Sequence, residues 1–210
     1  MGFYQLCPII GNVKRALVFI LFFSIISNVF AYRVEYAEQF YKLYHQHFTM
    51  YPEDILENIY YLEESLKAPF VNPLYAMAKI DNKAEWKRYR YLFTLHVELK
   101  MIKLYLQLGD RYDKQVAYFY NAPWKEDNLK SLETALECYE YARVYWDEAL
   151  KHARELYKIP YYHLEEIEEW EDEFTRIKQG DLDYGDIIQR HIERLKRVKN
   201  QFENMDENTY

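Results

Sequence analysis

Residues 92–108 read "LFTLHVELKMIKLYLQL". Leu92, Leu95, Leu99, Ile102 and Leu106 recur at alternating three- and four-residue steps, the period of one helix face. Phe93, Val97, Met101, Leu104 and Leu108 make a second apolar flank beside it. A helix apolar over so wide an arc must be covered from two sides. This stretch is therefore read as the centre of the fold, on a helix that starts after Asn82 and ends at Gly109. Asn82 with Glu85 matches the spacing of a capping box, with Asn in place of the usual Ser or Thr.

Working outward, nearly everything after Ala31 reads as helix. A first helix over 33–50 carries Ala37, Phe40, Tyr41, Tyr44 and Phe48 on one stripe. Pro52 suits the first turn of a second helix, with Glu53 and Asp54 beside its positive end. That helix presents Ile55, Ile59, Leu62 and Leu66 and stops near Pro69. A connector over 68–73 leads to a short helix over 74–80. Beyond Gly109, Asp110 can cap a helix over 111–122, which Pro123 breaks. Asp127 then caps the longest helix, 128–158. Its seam is Ala135, Cys138, Ala142, Trp146, Ala149 and Ala153, and small side chains there let a neighbouring helix approach closely. Tyrosines at 139, 141, 145 and 157 flank the seam. A tyrosine ring can bury its body and keep its hydroxyl wet, so these residues either seal the edges of helix pairs or form an exposed aromatic partner surface.

The last third predicts a charged hairpin, 160–179 against 186–204, followed by a tail at 205–210. Its stripes are Leu164, Ile167, Trp170, Phe174, Ile177 and then Ile188, Ile192, Leu195, Val198, Phe202. Seven of the nine residues from Glu165 to Glu173 are acidic. Arg190, Arg194, Lys196, Arg197 and Lys199 lie on the other arm, where an antiparallel hairpin would set them opposite. Such pairs fix register more than stability, at about 0.2–1 kcal/mol each. The fold class is all-α: antiparallel helical hairpins with unusually long central helices, in one domain over 32–210.

The N-terminus has the order of a secretory signal. Lys14 and Arg15 precede an apolar core, Ala16 to Ile26, and Val29 and Ala31 stand at −3 and −1 of a cleavage site after Ala31. An uncut anchor is the alternative and would be the only membrane attachment. Without Lys14 and Arg15, the 27 basic residues fall to 25 against 34 acidic, a net charge near −9. That balance argues against nucleic acid, whose phosphates select Lys and Arg, and against an anionic membrane surface. Cys138 is the one cysteine after the signal, so no intrachain disulfide is expected. With no Asn-x-Ser/Thr sequon in the mature chain, export to a bacterial periplasm is the expected address.

No motif demands a substrate. The histidines at 45, 47, 96, 152, 163 and 191 form neither His-Glu-x-x-His nor the Glu-x-x-His of di-iron bundles. His96 and His152 sit among core-forming helices. Cys138 lies among alanines beside Glu137 and Glu140, the opposite of the electropositive setting that activates a thiol. Phosphate loops, haem-attachment motifs and nucleophile elbows are absent. No catalytic residue, metal ligand or cofactor is assigned, and the chain is not read as an enzyme.

"LGDRYDKQVAYFY" (108–120) and "DEALKHARELY" (147–157) resemble the inter-helix turn and second helix of tetratricopeptide repeats. The match is degenerate: "GDRYD" is a residue longer than the usual turn, and the central helices exceed repeat length. The resemblance implies a helical-hairpin scaffold that binds other proteins. More loosely, "YPEDILENIYYLEESLKAPFVNPLYAMAKI" (51–80) and the long helix after it are similar to spirochaetal periplasmic flagellar accessory proteins of the collar and coiling type. The expected function is an exported scaffold or adaptor, its partner surface around Tyr141, Tyr145, Trp146 and Trp124. The alternative is a ligand-binding or transport accessory with an aromatic-lined pocket between helices.

Overall fold

A computed structural model describes residues 33–115, 121–206 and 208. By contact the chain divides into Met1–Val34 and Glu35–Tyr210, and every helix below belongs to the second unit. The expected signal at 1–31 lies outside the described residues, as do residues 116–120. All regular structure among the described residues is helical. Six α-helices run Ala37–Met50 (α1), Ile55–Lys67 (α2), Lys83–Gln115 (α3), Lys125–Leu156 (α4), Glu168–Gln179 (α5) and Tyr184–Glu203 (α6). No described helix is long and apolar enough to cross a membrane.

The expected centre is the observed centre. On α3, Leu92, Leu95, Leu99 and Ile102 are buried, and so are Phe93, Val97, Met101 and Leu104 on the second flank. The cover comes from α4 along one side and from α2 and α5 on the rest. The α3–α4 pair is antiparallel. Ser131 donates to the Tyr112 carbonyl near one end, and His152 meets Glu98 towards the other. The alanine seam explains how these two helices close: Ala135, Cys138, Ala142, Trp146, Ala149 and Ala153 are all buried. α1 and α2 form a smaller antiparallel hairpin, tied by Ser65 to the Ala37 carbonyl and by His47 to Asn58.

Several boundaries differ from expectation, each for a packing reason. Gly109 does not end a helix; α3 runs through it to Gln115. A Cβ at Gly109 would collide with the ring of Tyr139 on α4, so this glycine is a close-approach residue rather than a stop. Asp110 is accordingly inside α3 and caps nothing, and the turn expected at 109–113 is helical. A 3₁₀ turn over Ala122–Trp124 leads straight into α4 at Lys125, which moves Asp127 from the cap into the first turn. Asp54 rather than Pro52 opens α2, its carboxylate accepting from the Glu57 amide. Of the short helix expected at 74–80, only a 3₁₀ turn at Pro73–Tyr75 forms. Asn82 does cap α3: its Oδ1 accepts from the amides of Ala84 and Glu85 at 2.9 and 3.0 Å.

The C-terminal helices join through a tight turn at Gly180, which sits at φ 81°, a conformation open to glycine. Pro160 opens no helix; regular structure resumes with a 3₁₀ turn at Glu165–Ile167. The two charge runs do not face each other. The acidic run meets α3, through Arg88–Glu171, Lys100–Glu169 and Lys103–Glu173. The basic run meets α3 and α4, through Arg194–Asp113 and Lys199–Glu133. The apolar stripes explain this outcome. Trp170 and Phe174 of α5, and Ile188, Ile192, Leu195 and Phe202 of α6, all enter the shared core. Burying them on the central pair outweighs exposed ion pairs between the arms. Met205, at the start of the expected tail, is also buried there, with its carbonyl held by Lys125.

Candidate functional site

α4 positions the expected partner surface, and it splits the four named residues. Tyr141 is 55% exposed and Trp124 44%, Tyr145 is half-buried, and Trp146 is only 5% exposed. Trp146 is a core residue: its indole stands edge-on to Tyr184 of α6, with ring centroids 5.8 Å apart. Its place in the alanine seam already carried that signal. Trp124 lies at the start of α4, about 25 Å along the helix from Tyr141, and does not share its surface.

Tyr141 and Tyr145 belong together. Both stack on Tyr105 of α3, at centroid distances of 5.3 and 5.7 Å and interplanar angles of 24° and 20°. The Tyr105 hydroxyl donates to Glu63 of α2 at 3.3 Å. Burial pushes the Tyr145 phenol up to about 12, and Tyr105 is raised for the same reason, so both phenols stay neutral. The ladder holds Tyr141 at the lip of a shallow groove of about 480 Å³, lined by Leu136, Tyr141 and Val144 with Glu137, Glu140, Arg143 and Asp147. Val144 is 56% exposed. The sequence pattern did not single out Leu136 and Val144, because they lie off the buried seam.

The interior carries three polar clusters. In the first, the Tyr41 hydroxyl meets His96 Nε2 at 2.8 Å and His96 Nδ1 meets Glu173 at 2.6 Å. Burial holds the imidazole below its ordinary value, against the opposing pull of Glu173. The arrangement is a neutral imidazole that accepts from tyrosine and donates to carboxylate. Trp170 stacks over it at 5.1 Å. His96, Glu169 and Glu173 lie close enough to share an ion, but Lys100 and Lys103 pair with the two carboxylates, and neither carboxylate has a buried oxygen left without a hydrogen-bond partner. In the second cluster, Arg88 is buried and grips Glu171 with Nε and Nη2, while Nη1 donates to the carbonyls of Ile159 and Pro160 at 3.1 Å each. Its donors are used in holding the chain between α4 and α5. Arg88 and Glu171 border a small cleft of about 250 Å³ shared with Tyr157, Tyr161 and Phe174, but both side chains are nearly inaccessible and spent on each other.

The third cluster joins Asp110 and Asp113 of α3 to His191 of α6, with Tyr139 of α4 behind them. Sequence reasoning missed it because a helix expected to break at Gly109 could not put Asp110 and Asp113 on one face. Elsewhere, His152 meets Glu98 at 2.9 Å. That hydrogen bond raises the imidazole, while burial raises the Glu98 carboxyl. Cys138 is buried, and burial pushes its thiol up to about 11, which keeps it protonated and unreactive.

No curated protein and no solved structure matches the chain. A family model described as "Domain of unknown function (DUF8513)" matches residues 84–205. That span takes in α3 to α6, the central antiparallel pair and the two helices packed on it. It covers more than half of the 210 residues, and the chain belongs to this family.

Proposed function

We propose that the protein is an exported helical scaffold or adaptor that works by binding another protein through the outer face of α4. The single observation that carries this reading is the groove at Leu136, Tyr141 and Val144, where exposed Tyr141 and Val144 flank a half-buried Leu136 and the Tyr105–Tyr145 stack holds Tyr141 in place. An exposed tyrosine whose ring is already stacked loses little freedom on binding, and aromatic residues dominate interface energetics. The groove is rimmed by Glu137, Glu140 and Asp147 against the lone Arg143, which suits a partner segment with an apolar face flanked by Lys or Arg. The aromatic interior speaks for the scaffold over a ligand pocket. Trp170 is packed ring against ring with Tyr41, Tyr89, Phe93 and His96, so the space between these helices is filled by the protein itself.

Export rests on the order of charged, apolar and small residues before Tyr32, and a periplasmic assembly of the flagellar type is the setting proposed for it. N-terminal sequencing of protein from its native envelope is expected to begin at Tyr32; a chain still carrying Met1–Phe30 would replace export with anchoring. The binding reading is tested by affinity capture from that envelope with wild type and a Tyr141→Ala/Tyr145→Ala variant. Partner recovery is expected to fall by at least about 1 kcal/mol in affinity, roughly fivefold, with helicity unchanged. Equal recovery from both would remove this face as the interface.

A further inference from the structure

We propose that Asp110, Asp113 and His191 form a binding site for one first-row divalent cation of the Zn²⁺ or Mn²⁺ class. Their ligand atoms lie within 4.8 Å of one another, and His191 Nδ1 stands 3.4 Å from Asp110 Oδ1. Two ligands come from one face of α3, at i and i+3, and the third from α6. The separate observation is Asp113 itself. It is only 1% exposed, and its Oδ1 is buried with no hydrogen-bond partner. A buried carboxylate oxygen without a donor is costly. A cation supplies what it lacks.

The surroundings fit a metal site. The Tyr139 hydroxyl lies 3.1 Å from Asp110 Oδ1 and 3.3 Å from Asp113 Oδ2, so it orients both carboxylates from behind. Its ring packs against His191 at 4.9 Å and fixes the imidazole. Such outer partners set ligand geometry in metalloproteins. A shallow surface depression lined by Ile187, Arg190, His191 and Arg194 leaves the His191 side of the cluster open to solvent. One imidazole nitrogen with carboxylate oxygens selects a borderline transition ion over Ca²⁺ or Mg²⁺. Three protein ligands leave the remaining positions to water.

Arg194 is the competitor. Its Nη1 pairs with Asp113 Oδ2, and the side chain is 46% exposed, with solvent on its outer side. Lys114 holds Asp110 Oδ2 from the solvent side in the same way. Arginine and metal ion therefore compete for the Asp113 carboxylate. With the ion bound, α3 is cross-linked to α6, and the C-terminal helix is locked to the centre of the fold.

The test uses full-length protein stripped with a chelator, then titrated calorimetrically with ZnCl₂ and MnCl₂ and followed by the visible absorption of Co²⁺. One saturable ion per chain is expected, with a rise in melting temperature. Affinity should fall about tenfold or more in His191→Gln and in Asp113→Asn, and should rise in Arg194→Gln, where the competitor is gone. Circular dichroism establishes that each variant is folded. Should Asp113→Asn fail to fold, the partly exposed His191 carries the test alone. Absence of saturable binding, binding that His191→Gln leaves unchanged, or weaker binding in Arg194→Gln would each overturn the site.

Discussion

Gly109 has no side chain, and the ring of Tyr139 occupies the space where one would be. Alanine in place of glycine inside a helix ordinarily stabilises it by about 0.5–1 kcal/mol. At Gly109 the added methyl overpacks a fully buried ring, at a cost of about 1–3 kcal/mol. Gly109→Ala is therefore expected to lower the urea midpoint, and an unchanged or higher midpoint would mean that Tyr139 moves aside freely. His96 supplies a second expectation. Burial depresses its imidazole below the ordinary 6.5, so the unfolded chain takes up that proton more readily than the folded one. The stability it contributes is complete above that value and is lost as pH falls through it. His152, raised by Glu98, has the opposite sign: its contribution is full at low pH and lost as pH rises through the raised value. The contribution of His96 is therefore expected to fall away as pH drops below about 6.5, with His152 and the raised Glu98 opposing it. The loss should be smaller in His96→Gln. Parallel pH profiles of the two proteins would contradict the buried neutral imidazole.

At the scale of the element, α5 is held less by its exposed acids than by one buried pair. Arg88 and Glu171 are nearly inaccessible, and Arg88 also fastens two carbonyls of the segment that leads into α5. Arg88→Ala would leave Glu171 buried without a partner, and a loss of about 3–5 kcal/mol is expected. Arg88→Met with Glu171→Leu should recover much of it, because the pair is exchanged for apolar contacts. Equal instability of the single and double variants would show that the carbonyl contacts, not the charge pair, matter. The basic face of α6 behaves differently. Among the described residues, Arg190 pairs within its own helix and Lys199 with the exposed Glu133. Reversing Arg190, Lys196, Arg197 and Lys199 to glutamate is expected to cost under about 1 kcal/mol each. Arg194, whose partner is buried, should cost more in chelator-stripped protein, and thermal unfolding of the two sets of variants separates the cases.

At the scale of the molecule, the family match begins at residue 84 and leaves α1 and α2 outside. Those helices are not an appendage. Tyr41 reaches His96, and Ile55, Ile59 and Leu62 are buried in the same core as α3. Removing them would expose the α3 flank and leave His96 without its tyrosine. The segment 84–205 alone is therefore expected to keep far-ultraviolet helicity but lose near-ultraviolet signal and bind a hydrophobic dye. A sharp, cooperative unfolding transition from that segment would show that α3 to α6 suffice.

The amino-acid sequence by itself determined the helical class, the central role of 92–108 and the buried stripes. Those features depend on local period: the Leu92–Ile102 face and the Ala135–Ala153 seam are buried where 3.6-residue geometry puts them. Tertiary structure alone decided where helices stop and which charges meet. Gly109 reads as a terminator until Tyr139 arrives from α4, because nothing local distinguishes a glycine that ends a helix from one that admits a ring. The acidic and basic runs look like partners because they are close in the chain. They separate because Trp170 and Phe202 are drawn into one core and carry the charges with them. The juxtaposition of Asp110, Asp113 and His191 follows from the same cause. It exists only once α6 packs back along the centre, and no spacing within a single helix could have announced it.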